Sequence, residues 1–181
     1  MNNGKSKSMN TNTMVKAAFL IAISIVLTRI GSIMILPTLR VGFGEVPLVI
    51  SGFLFGPVIG GISGLVADLI GFIINPQGPY HPGFTLSSIL WGVIPGITNI
   101  LFKRRGRKEN LYSFVKVLIT ITACILVISL GLNTYWLSKL YGKGFIVLLP
   151  GRVLSALINI PVQSYIVTLL MKYLKPMTAL N

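Results

Sequence analysis

The residues best suited to chemistry form a short polar and aromatic segment at the end of a long apolar run. The run ends at Leu130, and an amide, a hydroxyl and three aromatic rings follow: Asn133, Thr134, Tyr135, Trp136 and Tyr141. At the end of a membrane span such groups can form an interfacial belt. They are equally able to line a pocket for a flat polar ligand. The choice between these two interpretations decides the function.

Charged side chains inside apolar segments are the second group of candidates. Arg29 lies late in the first apolar segment, Asp68 lies in the third, and Arg152 lies in the last. A charged side chain at the bilayer centre costs about 2.5–3.5 kcal/mol on insertion scales, so such residues are functional candidates by default. The alternative for Asp68 is a structural ion pair with Arg29, Arg40 or Arg152.

His81 and Phe84 stand at the end of a connection, 75–83, that is rich in proline and glycine. His81 has no second ligand at metal-binding spacing, so we expect no metal site. We find no paired carboxylates, catalytic triad, activated cysteine or complete nucleotide loop, so the sequence predicts neither an enzyme nor a bound cofactor. The single cysteine, Cys124, lies in an apolar segment and is expected to have a packing role.

The composition is that of a membrane protein. The 181 residues are 53% hydrophobic and 10% charged, whereas soluble domains carry about 25% charged residues. There are 16 Lys and Arg residues against 3 Asp and Glu. Because these cations lie between apolar runs, they favour topology control and contact with anionic lipid over nucleic-acid binding.

The apolar runs predict an all-α integral membrane protein, a bundle of six transmembrane helices. The predicted spans are 14–36, 45–55, 58–74, 84–102, 111–136 and 145–174. They form a single transmembrane domain over 14–175. Residues 1–13 are predicted to be a disordered cytoplasmic tail, and 176–181 a C-terminal tail.

The distribution of positive charge predicts the orientation. Eleven of the 16 basic residues lie on the side of the termini, and five lie toward the other side: Arg29, Arg40, Lys139, Lys143 and Arg152. Both termini should therefore be cytoplasmic. The elaborate connections 31–44, 75–83 and 137–144 then lie outside, so the outer face is expected to capture a ligand.

Two small residues in the first span, Ala18 and Ala22, lie four positions apart and share a helix face. Small residues at this spacing let another helix approach closely. The spacing alone favours packing within the chain over docking of a partner.

Five segments carry a resemblance to a known family: RVGFGEVP (40–47), LFGP (54–57), GLVADLIG (64–71), YHPGFTLS (80–87) and GLNTYWL (131–137). With these the chain, from about Lys16 to Tyr173, resembles the substrate-binding S components of energy-coupling factor (ECF) vitamin transporters. Within that family it is most similar to the folate-specific members. The last two segments are the more specific.

The resemblance implies a bacterial plasma-membrane protein that binds a vitamin outside and carries it inward. In the family, small residues of the first helix dock on a transmembrane coupling (T) subunit, so the resemblance implies that role for Ala18 and Ala22. Two ABC-type ATPases supply the energy, and the S component topples in the membrane.

For folate the resemblance implies a particular use of the candidate residues. The pterin would stack on Trp136 or Phe84 and bond through its edge to Asn133 or Asp68. The dianionic glutamate tail would meet an arginine near the mouth. The predicted substrate-binding residues are Arg29, Arg40, Asp68, His81, Phe84, Asn133, Trp136 and Arg152.

Other interpretations stay open. The chain could be an S component for another vitamin, a solitary transporter coupled to protons through Asp68, or a structural membrane subunit. Trp136 and Tyr141 could be belt residues, and Arg152 could simply pair with Asp68.

Overall fold

The computed structural model describes residues 11–29, 33–36, 39–76, 78–104, 113–142 and 144–178. Its α-helices are α1 (Thr11–Arg29), α2 (Val46–Phe55), α3 (Pro57–Ile74), α4 (Pro82–Arg104), α5 (Phe114–Cys124), α6 (Thr134–Tyr141) and α7 (Phe145–Thr178). A π-helical segment, Ile125–Asn133, joins α5 to α6, and two strands, β1 (Ile33–Leu36) and β2 (Leu39–Val41), follow α1. Residues 1–10 of the predicted tail 1–13 and residues 179–181 of the predicted tail 176–181 lie outside the described residues, while 11–13 belong to α1 and 176–178 to α7.

The helices agree with a protein built for a bilayer. Five described helical stretches are long and apolar enough to cross it: Thr11–Arg29, Pro57–Ile74, Pro82–Lys103, Phe114–Tyr141 and Phe145–Leu174. α2 has only 10 residues, about 15 Å, or half the usual hydrocarbon core. The multi-pass helical bundle is therefore confirmed, while six full crossings and cytoplasmic termini stay predictions.

The first predicted span is too long, and the fold is not entirely helical. α1 ends at Arg29, and the apolar run 33–36 is a strand that pairs antiparallel with β2. Met34 lies opposite Arg40 and Leu36 opposite Leu39. A short apolar run does not by itself distinguish a strand from a helix. For this reason the predicted helix 14–36 included the first strand of the hairpin.

Glycines bring α2, α3 and α4 into close contact. A methyl group built on Gly92 of α4 would overlap the backbone of Gly60 on α3. Ser51 of α2 and Ser63 of α3 share a hydrogen bond of 2.9 Å inside the bundle. Such small and hydroxyl residues are typical of helix contacts in membranes. The small residues of α3 therefore face the neighbouring helices of the bundle.

The apolar core lies between α2, α5, the π-helical segment and α7. Its completely buried side chains include Val117, Ile121, Ile128, Val167 and Met171. Cys124 is buried in the same cluster, in keeping with a packing role. At the end of α6, Gly142 has a positive φ of 65°. This conformation suits glycine, and it turns the chain toward α7.

Candidate functional site

The helices enclose a cavity of about 490 Å³ at the end of the bundle where the 75–81 connection and the α6–α7 turn lie. We call this end the loop end. Small-molecule sites in proteins span about 300–1,000 Å³, so the cavity has the size of a ligand site. Its walls come from α1, α2, α3, α4, the π-helical segment, α6 and α7, together with the segment 42–45 after β2.

Most of the predicted binding residues meet at this cavity. Six of the eight line it: Arg29, Asp68, His81, Phe84, Asn133 and Arg152. Trp136 packs behind His81, with the ring centroids 5.3 Å apart. The backbone of Arg40 lies in β2, and its side chain lies outside what the structure describes.

A polar network ties three helices to the 75–81 connection. The guanidinium of Arg29, the last residue of α1, lies with Nη2 4.0 Å from Asp68 Oδ1 on α3. Its Nη1 donates a hydrogen bond of 3.0 Å to the carbonyl oxygen of Asn75. Asp68 Oδ2 accepts a 2.7 Å hydrogen bond from Thr85 on α4, whose hydroxyl also contacts Tyr80 at 3.1 Å. Asp68 is therefore both an ion-pair partner of Arg29 and part of the cavity wall.

The second arginine of the cavity reaches across from α7. Arg152 Nη1 donates to the carbonyl oxygen of Ser129 at 3.2 Å. The same carbonyl accepts a 3.1 Å hydrogen bond from the hydroxyl of Thr134, five residues later. A guanidinium is a planar fork of five donors that matches a carboxylate. Its anchoring on the π-helical segment presents such a fork to the cavity.

The π-helical segment shapes this wall, and the sequence pattern did not predict it. π-helical turns are rare and occur frequently at functional sites. The segment ends at Asn133, a half-buried residue on the cavity wall. Asn133 Oδ1 is buried and accepts no hydrogen bond from any described residue. A ligand donor in the cavity would satisfy it.

Aromatic rings cluster at the loop end of the cavity. His81 contacts both Trp136 and Phe84, the latter with ring centroids 5.9 Å apart. The backbone N–H of Gly83 donates to His81 Nδ1 at 3.1 Å, so a neutral imidazole carries its proton on Nε2. A methyl group on Gly83 would overlap the ring of Trp136. This glycine lets the indole approach the start of α4 and support His81.

Several wall residues were not among the predicted ligands. They are Thr28, Glu45, Trp91, Ser155, Asn159 and Gln163. Ser155, Asn159 and Gln163 belong with Arg152 to a polar stripe on α7. Lipid would tolerate such a stripe poorly, so the sequence carries a signal for these three residues. Trp91, only 5% exposed, has no such signal because an aromatic residue in an apolar helix is as readily a packing residue.

The fold and the cavity define a membrane-embedded protein that binds a small molecule. The model of the family "ECF transporter, substrate-specific component" matches residues 12–171. The chain therefore belongs to the substrate-specific components of ECF transporters, as its motifs predicted.

Relatives and solved structures agree with this assignment. A protein named "Folate transporter FolT" from Clostridium novyi (strain NT) is 36% identical over 156 residues, 86% of each chain. A crystal structure of FolT bound with folic acid is 29% identical, with a TM-score of 0.72 over 87% of this chain and 90% of that one. The structure of an S component of a bacterial ECF transporter, 26% identical, has a TM-score of 0.71 over 93% and 98%.

Proposed function

We propose that this protein is the folate-binding S component of an ECF-type importer. The observation that carries the proposal is a ligand-sized cavity whose wall combines arginine guanidinium groups, aromatic rings and a buried amide oxygen. Folate has matching groups, namely two carboxylates, a flat heterocycle and several N–H donors. The named folate transporters among the relatives and the folic-acid complex among the structural neighbours support the same ligand.

The ligand would lie along α7. Arg152 and Gln163 both line the cavity and are eleven residues apart, which corresponds to about 16 Å along a helix axis. An elongated molecule with an anionic end and a neutral end suits this arrangement. The glutamate tail would bind Arg152 and Arg29 on the cavity wall, and Arg40 stays a predicted partner of the same tail, because guanidinium groups bind carboxylates in pairs of hydrogen bonds.

The aminobenzoate ring, between the carboxylate tail and the pterin, would contact the aromatic rings at the loop end, and the pterin would lie deeper along α7. Phe84 and His81 line the cavity, and Trp136 supports His81 from behind. Offset stacking of such rings contributes about 0.5–1.5 kcal/mol beyond simple burial. Asn133 would accept a hydrogen bond from the ligand, while Asp68 would hold Arg29 in position.

Transport requires partners and an orientation. We propose that the loop end faces outward in the plasma membrane of a bacterial cell and that both termini are cytoplasmic, since most basic residues lie on the side of the termini. Ala18 and Ala22 are exposed on α1, whereas Ala17 is buried against the bundle. The exposed pair would dock on a T subunit, and two ATPases attached to it would energise delivery.

Native mass spectrometry of the purified protein tests the proposal. We expect one folate to be retained per chain and to be absent after growth without folate. Retention of thiamine, riboflavin or biotin instead would identify an S component for another vitamin. Folate uptake by the chain alone, without the T subunit and the ATPases, would point to a solitary transporter.

A further inference from the structure

We infer that Gln163 of α7 is a specificity-determining residue that recognises the N–H donors on the heterocycle of the ligand. This inference rests on the proposed function and concerns the same cavity. Gln163 lines the cavity and is only 4% exposed. Its Nε2 donates a 3.0 Å hydrogen bond to the carbonyl oxygen of Gly42, in the segment after β2.

That hydrogen bond determines which half of the amide is offered to a ligand. Nε2 is held at Gly42 through one of its two N–H groups, whereas Oε1, a carbonyl oxygen that only accepts hydrogen bonds, is the atom without a protein partner. Oε1 is buried and has no hydrogen-bond partner among the described residues. Leaving a buried acceptor unpaired is unfavourable, so a ligand that supplies a donor here is favoured over one that does not.

A second wall residue of α7 has the same property. Ser155 is 7% exposed, lines the cavity, and its Oγ has no partner among the described residues. It lies eight residues before Gln163 and lines the same cavity. These two α7 groups are uncharged, so they suit neutral N–H groups rather than an ammonium group.

The depth of Gln163 selects the part of the ligand that it meets. Arg152 lies about 16 Å nearer the start of α7, at the loop end. Trp91 of α4 is also a nearly buried wall residue. It lies nine residues, or about 13 Å along the helix axis, from the start of α4 at the loop end. When the carboxylate tail binds Arg152, the opposite end of an elongated ligand reaches Gln163. For folate that end is the amino-pyrimidinone ring, with an exocyclic amino group beside a ring N–H.

The test compares folic acid with its 2-desamino analogue, in which hydrogen replaces the exocyclic amino group. We expect the wild-type protein to bind folic acid at least about tenfold more tightly, the usual scale for one unpaired buried acceptor. In Gln163→Met, of similar length but without the amide, this preference should fall to about twofold or less. Both affinities are measured by calorimetric titration in detergent.

The control separates recognition from loosening of the segment 42–45. Ser24 of α1, outside the cavity wall, donates a 2.7 Å hydrogen bond to the carbonyl oxygen of Gly44 in that same segment. Ser24→Ala should therefore keep the wild-type preference, even where it weakens both ligands. Gln163→Leu, which also lacks the amide, should lose the preference as well, and it serves where the Met variant does not fold.

The outcomes distinguish this inference from the proposed function. Equal preference in wild type and Gln163→Met would overturn the inference while leaving folate as the ligand. Full wild-type preference in Gln163→Leu would also overturn it. If Glu45→Gln alone abolishes the preference, the donor edge is bound by Glu45, which lines the same cavity, and the inference is wrong. If the wild-type protein binds no folic acid, both proposals fail.

Discussion

We expect Arg152 to be the residue that most directly distinguishes folate from a neutral vitamin. Its guanidinium lies on the cavity wall, anchored on the carbonyl oxygen of Ser129. We expect Arg152→Ala to weaken folic acid binding about tenfold to a hundredfold, the range for a hydrogen bond to a charged group. Pteroic acid, which lacks the glutamate tail, should lose at most about twofold. Fluorescence titration of both ligands gives the two ratios.

A matched control exists at the same end of the bundle. Lys139 is exposed, lies 5.8 Å from the ring centroid of Tyr135, and is not part of the cavity wall. Lys139→Ala removes the same charge and should leave both affinities within about twofold. An equal loss of folic acid and pteroic acid in Arg152→Ala would show that the arginine supports the fold rather than the tail.

The Arg29–Asp68 pair makes a separate prediction about stability. Both side chains are mostly buried, and removing one partner leaves the other charge in a poor environment. Asp68→Asn should lower the free energy of unfolding by about 1–3 kcal/mol. Because removing both charges avoids the unpaired group, Arg29→Met combined with Asp68→Asn should recover part of that loss. Thermal unfolding in detergent measures the cycle.

The same variant tests the rival role of Asp68. If Asp68 carried protons, Asp68→Asn would abolish a pH response of uptake. Our account expects uptake through the complete complex to have the same pH dependence with Asp68→Asn as with wild type. For the stability prediction, additive losses of unfolding free energy in Arg29→Met and Asp68→Asn would show that these two side chains do not interact.

At the scale of elements, the contact between α3 and α4 depends on glycine. A methyl group on Gly92 would overlap the carbonyl of Gly60, so Gly92→Ala should destabilise the protein by about 1–3 kcal/mol. Gly131, in the π-helical segment, is the control because a methyl group there would meet only Leu126 O, at 3.5 Å. We expect Gly131→Ala to change stability by less than about 0.5 kcal/mol. Similar unfolding temperatures for the two variants would contradict the close approach.

The elements were predictable where the hydrophobic pattern has a single interpretation. The helical stretches at 57–74, 82–104 and 145–174 lie close to the predicted spans, because long apolar runs between proline- and glycine-rich connections fit only a membrane helix. The strand at 33–36 and the π-helical segment were missed. Each has the composition of an ordinary helix, and tertiary contacts decide its backbone.

The site was predictable where a residue conflicted with its apolar surroundings. Asp68 and Arg152 were found because charge is unfavourable in lipid, and both line the cavity. Trp91 was missed because burial in a pocket wall and burial in a core look alike in a sequence. Gln163 belongs to a polar stripe of α7 that is visible in the sequence, yet only the structure shows which of its atoms is already bound.

The whole molecule has two functional surfaces in this account, the cavity and the exposed face of α1. Ala18 and Ala22 lie on that face, at the spacing that allows close helix contact. Replacing Ala18 with Leu should prevent such an approach, so co-purification with the T subunit should fall by tenfold or more. Folic acid affinity should not change, because Ala18 does not line the ligand cavity.

The control for this surface is Leu157, an apolar residue of α7 that is also exposed. Leu157→Phe enlarges a side chain on a different face and should leave the complex intact. If Ala18→Leu still assembles with the T subunit while Leu157→Phe does not, the docking face has been placed on the wrong helix.

The central claim is that the isolated chain binds folate in its cavity. Equilibrium binding of labelled folic acid to the purified protein, with unlabelled vitamins as competitors, tests it most directly. We expect saturation at one folic acid per chain, displaced by folates and unaffected by thiamine, riboflavin or biotin. Absence of saturable binding, or displacement by one of those three vitamins, would contradict it.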